Sequence, residues 1–150
     1  MLMAFRFPLE VLLRLRQGME RQQELRLQAA NHRVAMLRLQ IEDVRNEIGN
    51  IEARRDPQRE SGISAAELQF DLLCRSVLAE RQNTLQKQLV EAEAYRRARS
   101  EDFKQARQQR EVMDVLRRQR LEDYQQEEAR QDQRRLDDLF LLRRAYLRRN

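Results

Sequence analysis

Helix-breaking residues are almost absent from this chain, and their positions limit it to two long helices. Its 150 residues contain two prolines and three glycines. Pro8 suits the first turn of a helix, where a missing N–H costs nothing, while Pro57 disfavours helix at the residue before it. No proline or glycine follows Gly62. The sequence therefore predicts one domain, 1–150, with helix 1 over about 8–55, a loop at 56–64 and helix 2 over about 65–147.

A helix-start signal directly follows this loop. Ser64 and Glu67 have the spacing of a capping box, in which the serine hydroxyl accepts a hydrogen bond from the backbone N–H three residues later. Ile63 and Leu68 flank the pair at the two positions of a hydrophobic staple. We therefore expect helix 2 to start directly after Ser64.

Apolar residues in helix 1 repeat at alternating spacings of three and four, which is typical of a coiled-coil seam. The seam consists of Leu27, Ala30, Val34, Leu37, Ile41, Val44, Ile48 and Ile51. Helix 2 carries a similar row between Leu78 and Met113, and its interruptions are Gln82, Arg96, Arg99 and Arg110. Two such helices predict an all-α antiparallel coiled-coil hairpin with helix 2 longer than helix 1. From about Met113 onward, helix 2 is expected to lack an intrachain partner.

Composition and missing motifs argue against an enzyme. The chain has one histidine, His32, one cysteine, Cys74, and no glycine-rich phosphate loop, so metal, nucleophilic and nucleotide sites lack their usual groups. A single cysteine fits a reducing compartment. No apolar run approaches the roughly 18 residues that cross a membrane. We expect a non-enzymatic cytoplasmic protein with no cofactor and no small-molecule substrate.

The sequence leaves two kinds of partner to consider, nucleic acid and further copies of this chain. The net charge is +5, and the basic residues concentrated between Arg96 and Arg120 could grip nucleic-acid phosphates. Interspersed acidic residues and the lack of a base-stacking aromatic pattern argue against nucleic acid. The coiled-coil seams also fit a self-associating scaffold or adaptor.

The opening stretch FRFPLEVLLRLR, Phe5 to Arg16, mixes leucine with arginine. Arg6, Pro8 and Glu10 interrupt its apolar residues, so it is not a secretion signal. A membrane-surface helix is one use of such a stretch. Because a coiled-coil seam follows it along the same helix, packing against a partner helix is the favoured use.

This opening resembles that of the FliJ family of flagellar export proteins, which is similar to the YscO family. The matching residues are Phe5, Phe7, Pro8, Leu9, Glu10, Leu12, Leu13, Leu15 and Arg16. A length near 150 residues and a two-helix hairpin agree with the family. So does the ending RRLDDLFLLRRAYLRR, which includes Leu136, Asp137, Asp138 and Arg143.

The resemblance implies a non-enzymatic component of the flagellar type III export apparatus. Such proteins resemble a stalk that inserts into the export ATPase ring, promotes its assembly and activity, and links it to the export gate and chaperones. Association with the inner-membrane apparatus is then peripheral and occurs only through proteins. The ring contacts implied by this analogy are Phe7, Leu12, Leu13, Arg14, Arg16, Leu139, Phe140, Arg143 and Arg144.

The implied gate contact lies early in helix 2. Its residues are Phe70, Cys74, Val77 and Arg81, whose spacings of four, three and four place them on one side of the helix. This chain departs from the family pattern at Cys74 and Arg81, where a larger apolar residue and a neutral or histidine-like residue are expected. The open alternative is that Phe70 and Val77 simply pack on helix 1.

Overall fold

Two α-helices make up the fold in the computed structural model, which describes residues 4–54 and 62–149. Helix α1 spans Glu10–Ala53 (44 residues) and helix α2 spans Ala65–Arg149 (85 residues). No strand occurs in this described part of the chain. The predicted loop at 56–64 lies outside it, apart from residues 62–64.

The described helix starts have clear local causes. The backbone N–H of Glu10 donates to the Phe7 carbonyl at 3.1 Å, so a turn containing Pro8 leads into α1. At the start of α2, the Glu67 N–H donates to Ser64 Oγ at 3.2 Å. The predicted cap at Ser64 is therefore confirmed.

Residue contacts divide the chain into two units. The terminal unit comprises Met1–Arg21 and Gln105–Asn150, and the central unit comprises Gln22–Lys104. Each unit contains a segment of both helices. The expectation of one domain over 1–150 stays a prediction.

The central unit has an apolar core built from the predicted seams. Its buried members are Leu37, Ile41, Val44 and Leu85, with Ile48, Leu78, Leu89 and Ala92 packed against them. Glu52 pairs with Arg75 at 2.8 Å and Arg38 pairs with Glu93 at 2.9 Å, so the helices run antiparallel. The predicted interruptions Gln82, Arg96 and Arg99 are half-buried and occupy seam positions.

The terminal unit has a smaller apolar core that sequence reasoning missed. Phe7, Leu13 and Met113 are buried together, and Phe5 and Leu12 pack against them. The unit is also antiparallel: Glu20 pairs with Arg110, and Glu10 pairs with Arg117. Both units thus agree with the predicted antiparallel coiled-coil hairpin.

The expectation that helix 2 lacks a partner from about Met113 onward is wrong. The rings of Phe5 and Tyr124 lie 5.6 Å apart, because the segment before α1 extends the packing of the terminal unit. The exposed part begins later: every described residue after Glu128 is exposed.

Gly18 offers a direct test of the continuity of α1. A Cβ added there would meet no atom within 4 Å, and glycine costs a helix interior about 0.5–1 kcal/mol relative to alanine. We expect Gly18→Ala to raise the free energy of unfolding by about that amount in a urea titration followed by circular dichroism. Gly49→Ala, only four residues before the end of α1, should give a smaller gain. A loss of stability in Gly18→Ala would contradict the uninterrupted helix.

Candidate protein-binding surfaces

The predicted ring contacts between Phe7 and Arg16 mostly take part in intrachain packing. Phe7 and Leu13 are 7% and 4% exposed, and Leu12 packs against the same core. Arg16 donates a hydrogen bond to Gln109 Oε1 at 2.7 Å, while Arg14 is exposed. A substitution at Phe7 or Leu13 would therefore alter the fold as well as any binding to a partner.

Arg110 forms a partly buried ion-pair network beside this core. Its Nε donates to Glu20 Oε2 at 2.6 Å, and its second guanidinium nitrogen donates to Asp114 Oδ2 at 2.6 Å. Hydrogen bonding to Glu20, and then to Asp114, raises the pKa of Arg110 and keeps the guanidinium charged. From the sequence this arginine interrupts the seam, whereas in the structure it joins α1 to α2 at a seam position.

Tyr124 on α2 packs against Phe5 within the terminal unit. Its hydroxyl donates to Glu128 Oε1 at 3.4 Å. Desolvation raises the pKa of this phenol, and the charge of Glu128 raises it further. The phenol therefore stays neutral at neutral pH and remains a hydrogen-bond donor.

The last residues of α2 expose an unusual number of large apolar side chains. We call this the tail surface; its apolar members are Leu136, Leu139, Phe140, Leu141, Leu142, Tyr146 and Leu147. Each is at least 60% exposed. Residues 134–149 also contain six arginines and two aspartates. The predicted ring contacts Leu139, Phe140, Arg143 and Arg144 all lie on this surface and are exposed.

The predicted gate contacts lie on the central unit near the start of α2. Phe70 and Val77 are 65% and 57% exposed, and Val77 lines a groove together with residues of α1, so packing on helix 1 covers at most part of each side chain. Cys74 is half-buried, and Arg81 is exposed.

A groove adjoins these residues, and we call it the loop-proximal groove. Its volume is about 470 Å³, and its lining residues are Glu47, Asn50, Ile51, Arg54, Leu73, Cys74, Val77 and Leu78. Sequence reasoning missed Leu73, which is 62% exposed. Leu73 lies three residues after Phe70 and four before Val77. This spacing places it on the same side of the helix and could have identified it from the sequence. Leu73 extends the apolar rim of the predicted contact.

In the basic stretch from Arg96 to Arg120, five of the nine basic residues form ion pairs among the described residues. Its ion pairs are Arg99 with Asp102, Lys104 with Glu101, Arg107 with Glu111, Arg110 with Glu20 and Asp114, and Arg117 with Glu10. These pairs compete with phosphate for the same guanidinium and ammonium groups. The stretch therefore has less free positive charge than its sequence indicates.

The described residues also bear on metal binding and on membrane crossing. Those residues contain no group of three or more His, Cys, Asp or Glu side chains placed to hold a metal ion. Of the helices they form, none has the length and apolar content needed to cross a membrane.

Comparison with known proteins places the chain in a family. A family model described as flagellar FliJ protein matches residues 5–150, which is nearly the whole chain. No curated protein and no solved structure gives a significant match. An all-α pair of antiparallel helices together with this match over nearly the whole chain identifies the chain as a member of the FliJ family, with a role in flagellar protein export.

Proposed function

We propose that this protein is a stalk of the flagellar type III export apparatus that inserts its tail surface into the export ATPase ring. There it promotes assembly and activity of the ring and links it to the export gate and chaperones. It acts on the cytoplasmic side of the membrane as a non-enzymatic component. The observation that carries the proposal is the exposure of the apolar tail residues on a helix that continues beyond its last packed residues.

The arrangement of the tail residues supports insertion into a bore. Successive residues on an α-helix point about 100° apart, so the four residues Leu139 to Leu142 together face every direction. A helix segment that is apolar all round is normally enclosed by protein. Arg143 and Arg144 follow at once and can pair with acidic groups at the rim of such a bore. The ring would thus surround the tail rather than contact one side of it.

The proposed gate contact uses a different surface. Phe70, Leu73 and Val77 form an exposed apolar row beside the loop-proximal groove. An amphipathic helix or an extended segment of the gate protein could bury this row, with Arg54 and Glu47 at the edge of the groove offering charges of both signs. Phe70→Asp should then weaken gate binding without changing stimulation of the ATPase.

The test of the stalk proposal measures ATP hydrolysis by the purified export ATPase with added full-length protein. We expect Leu139→Asp plus Phe140→Asp to reduce stimulation by about tenfold or more, because charged groups would be desolvated in an apolar bore. Leu141→Asp should also reduce it, because the bore surrounds the helix. Normal stimulation by all these variants would refute insertion of the tail.

A matched control replaces an exposed apolar residue elsewhere on α2. Val90 is 64% exposed, comparable to Phe140, and lies on the central unit. Val90→Asp should leave stimulation within about twofold of the natural protein, since surface substitutions change stability little. If Val90→Asp reduced stimulation as strongly as the tail variants, the effect would not be specific to the tail.

The alternative of a self-associating scaffold makes a different prediction. A scaffold of this kind would form a stable dimer with the tail surfaces buried against each other, even without the ATPase. Light scattering over a range of concentrations distinguishes the two. The stalk proposal expects the mass of one 18.2 kDa chain, with a larger complex only when the ATPase is added.

A further inference from the structure

The tail surface also has the pattern of a helix that lies on a lipid surface. At about 100° per residue, its apolar residues other than Leu141 fall within an arc of about 160°. They are Leu136, Leu139, Phe140, Leu142, Tyr146 and Leu147. The opposite arc carries mainly arginine and aspartate. Leu139 to Leu142 alone face all directions, but over the whole tail surface six of the seven apolar residues share one side of the helix and only Leu141 faces away.

The charges on the tail favour an anionic surface. Residues 134–149 carry six arginines against two aspartates. Asp137 accepts a hydrogen bond from Gln133, and Arg135 pairs with Asp132 outside this stretch. Within the described residues, Arg143, Arg144, Arg148 and Arg149 have no ion pair, so their guanidinium groups are available to phosphate. Each basic residue near an anionic bilayer strengthens the attraction to it, and salt weakens that attraction.

The positions of the aromatic and basic side chains fit the depth of a bilayer interface. Phe140 and Tyr146 lie on the apolar arc, where an aromatic ring can sit among headgroups and upper acyl chains. Arg143 lies near the middle of the same arc. Its aliphatic stem can bury alongside the leucines while its guanidinium reaches back to a phosphate. In a dry protein groove the same residue would need a dedicated acidic partner.

We propose that residues 134–149 of α2 bind directly to the surface of a membrane rich in anionic phospholipid, with the arc of Leu139, Phe140 and Tyr146 against the acyl chains. This goes beyond the protein-mediated membrane association that the family resemblance implies. It does not rest on the ATPase proposal, since it requires no other protein. Because the same residues serve both contacts, lipid binding and ring insertion would exclude each other.

Leu139 and Leu141 provide a matched pair for the test. They are the same residue type, 62% and 60% exposed, and they point about 200° apart on the helix. The full-length protein is mixed with phosphatidylglycerol vesicles or phosphatidylcholine vesicles and sedimented, without any ATPase. The expected result is sedimentation with phosphatidylglycerol, release on adding salt, and little sedimentation with phosphatidylcholine.

The variants separate an apolar face from simple charge attraction. Leu139→Asp should lower the binding constant for the vesicles by more than about tenfold, because it removes a buried leucine as well as adding a negative charge. Leu141→Asp, which changes the charge equally, should lower it by about fivefold or less. Because the chain has no tryptophan, Leu139→Trp and Leu141→Trp can each serve as a single fluorescent reporter. Emission should shift to shorter wavelength on phosphatidylglycerol vesicles for Leu139→Trp and remain close to its free value for Leu141→Trp.

Several results would overturn the proposal. No binding to phosphatidylglycerol, equal binding to phosphatidylcholine, or equal losses in Leu139→Asp and Leu141→Asp would each do so. Equal loss would mean that charge alone attracts the protein. The two proposals fail separately: a tail that stimulates the ATPase but ignores vesicles supports only insertion, and the converse supports only lipid binding.

Discussion

Leu37→Ala is expected to lower the free energy of unfolding by about 2–3 kcal/mol, near the lower end of the usual range for such substitutions. Leu37 is 1% exposed and packs with Ile41, Val44 and Leu85 in the core of the central unit. Removing its side chain loses buried apolar area and leaves a cavity. The cost stays below the maximum because, between only two helices, side chains and solvent can move in. A urea titration followed by circular dichroism measures it.

Leu39→Ala is the matched control for this substitution. Leu39 lies two residues further along the same helix and is 59% exposed. The substitution is chemically the same as Leu37→Ala. Because Leu39 is exposed, it should change the free energy of unfolding by no more than about 0.5 kcal/mol. If the two variants unfolded at the same urea concentration, α1 would not be packed with Leu37 inside.

Arg110→Met is expected to destabilise the protein by about 1–2 kcal/mol. Methionine preserves most of the side-chain length, but it leaves Glu20 and Asp114 partly buried without their shared cation. The side chains of Arg110 and Glu20 are 24% and 19% exposed, so solvent screens their interaction incompletely. The pKa of Arg110 is raised, so this stability is fully present below the ordinary arginine pKa and is lost only at still higher pH.

An exposed ion pair on the same helix gives the comparison. Arg107 pairs with Glu111 at 3.0 Å, and these side chains are 57% and 50% exposed. Arg107→Met should cost about 0.5 kcal/mol or less, as is usual for a surface pair. In the Arg110→Met background, Glu20→Gln should cost less than it does alone. Additive effects of those two substitutions would contradict the network.

Burial also determines which binding variants can be interpreted. Aspartate at Leu13 would place a charge in the core formed with Phe7 and Met113, so lost ATPase stimulation could simply reflect unfolding. Leu139 and Phe140 make no such packing contact and are exposed. Variants of the tail surface therefore test binding with the least effect on the fold.

Much of the helical architecture could be predicted because it depends on neighbouring residues. The cap at Ser64 needs only a serine, a nearby backbone N–H and the loop before them. The seam from Leu27 to Ile51 follows from the period of the α-helix, which places residues three and four apart on one side. Family membership could be predicted from the opening motif, and the family match confirmed it.

The pairing of the helices could not be read from the same patterns. Met113 lies far from Phe7 and Leu13 in sequence, and a period shows which side of a helix is apolar but not which residue lies opposite. The sequence around Arg110 does not show whether its side chain faces solvent or Glu20. The sequence by itself thus determined two helices, their seams and the apolar, arginine-rich tail. Only the tertiary structure decided which apolar residues are buried and which stay exposed, because that depends on the register between distant segments.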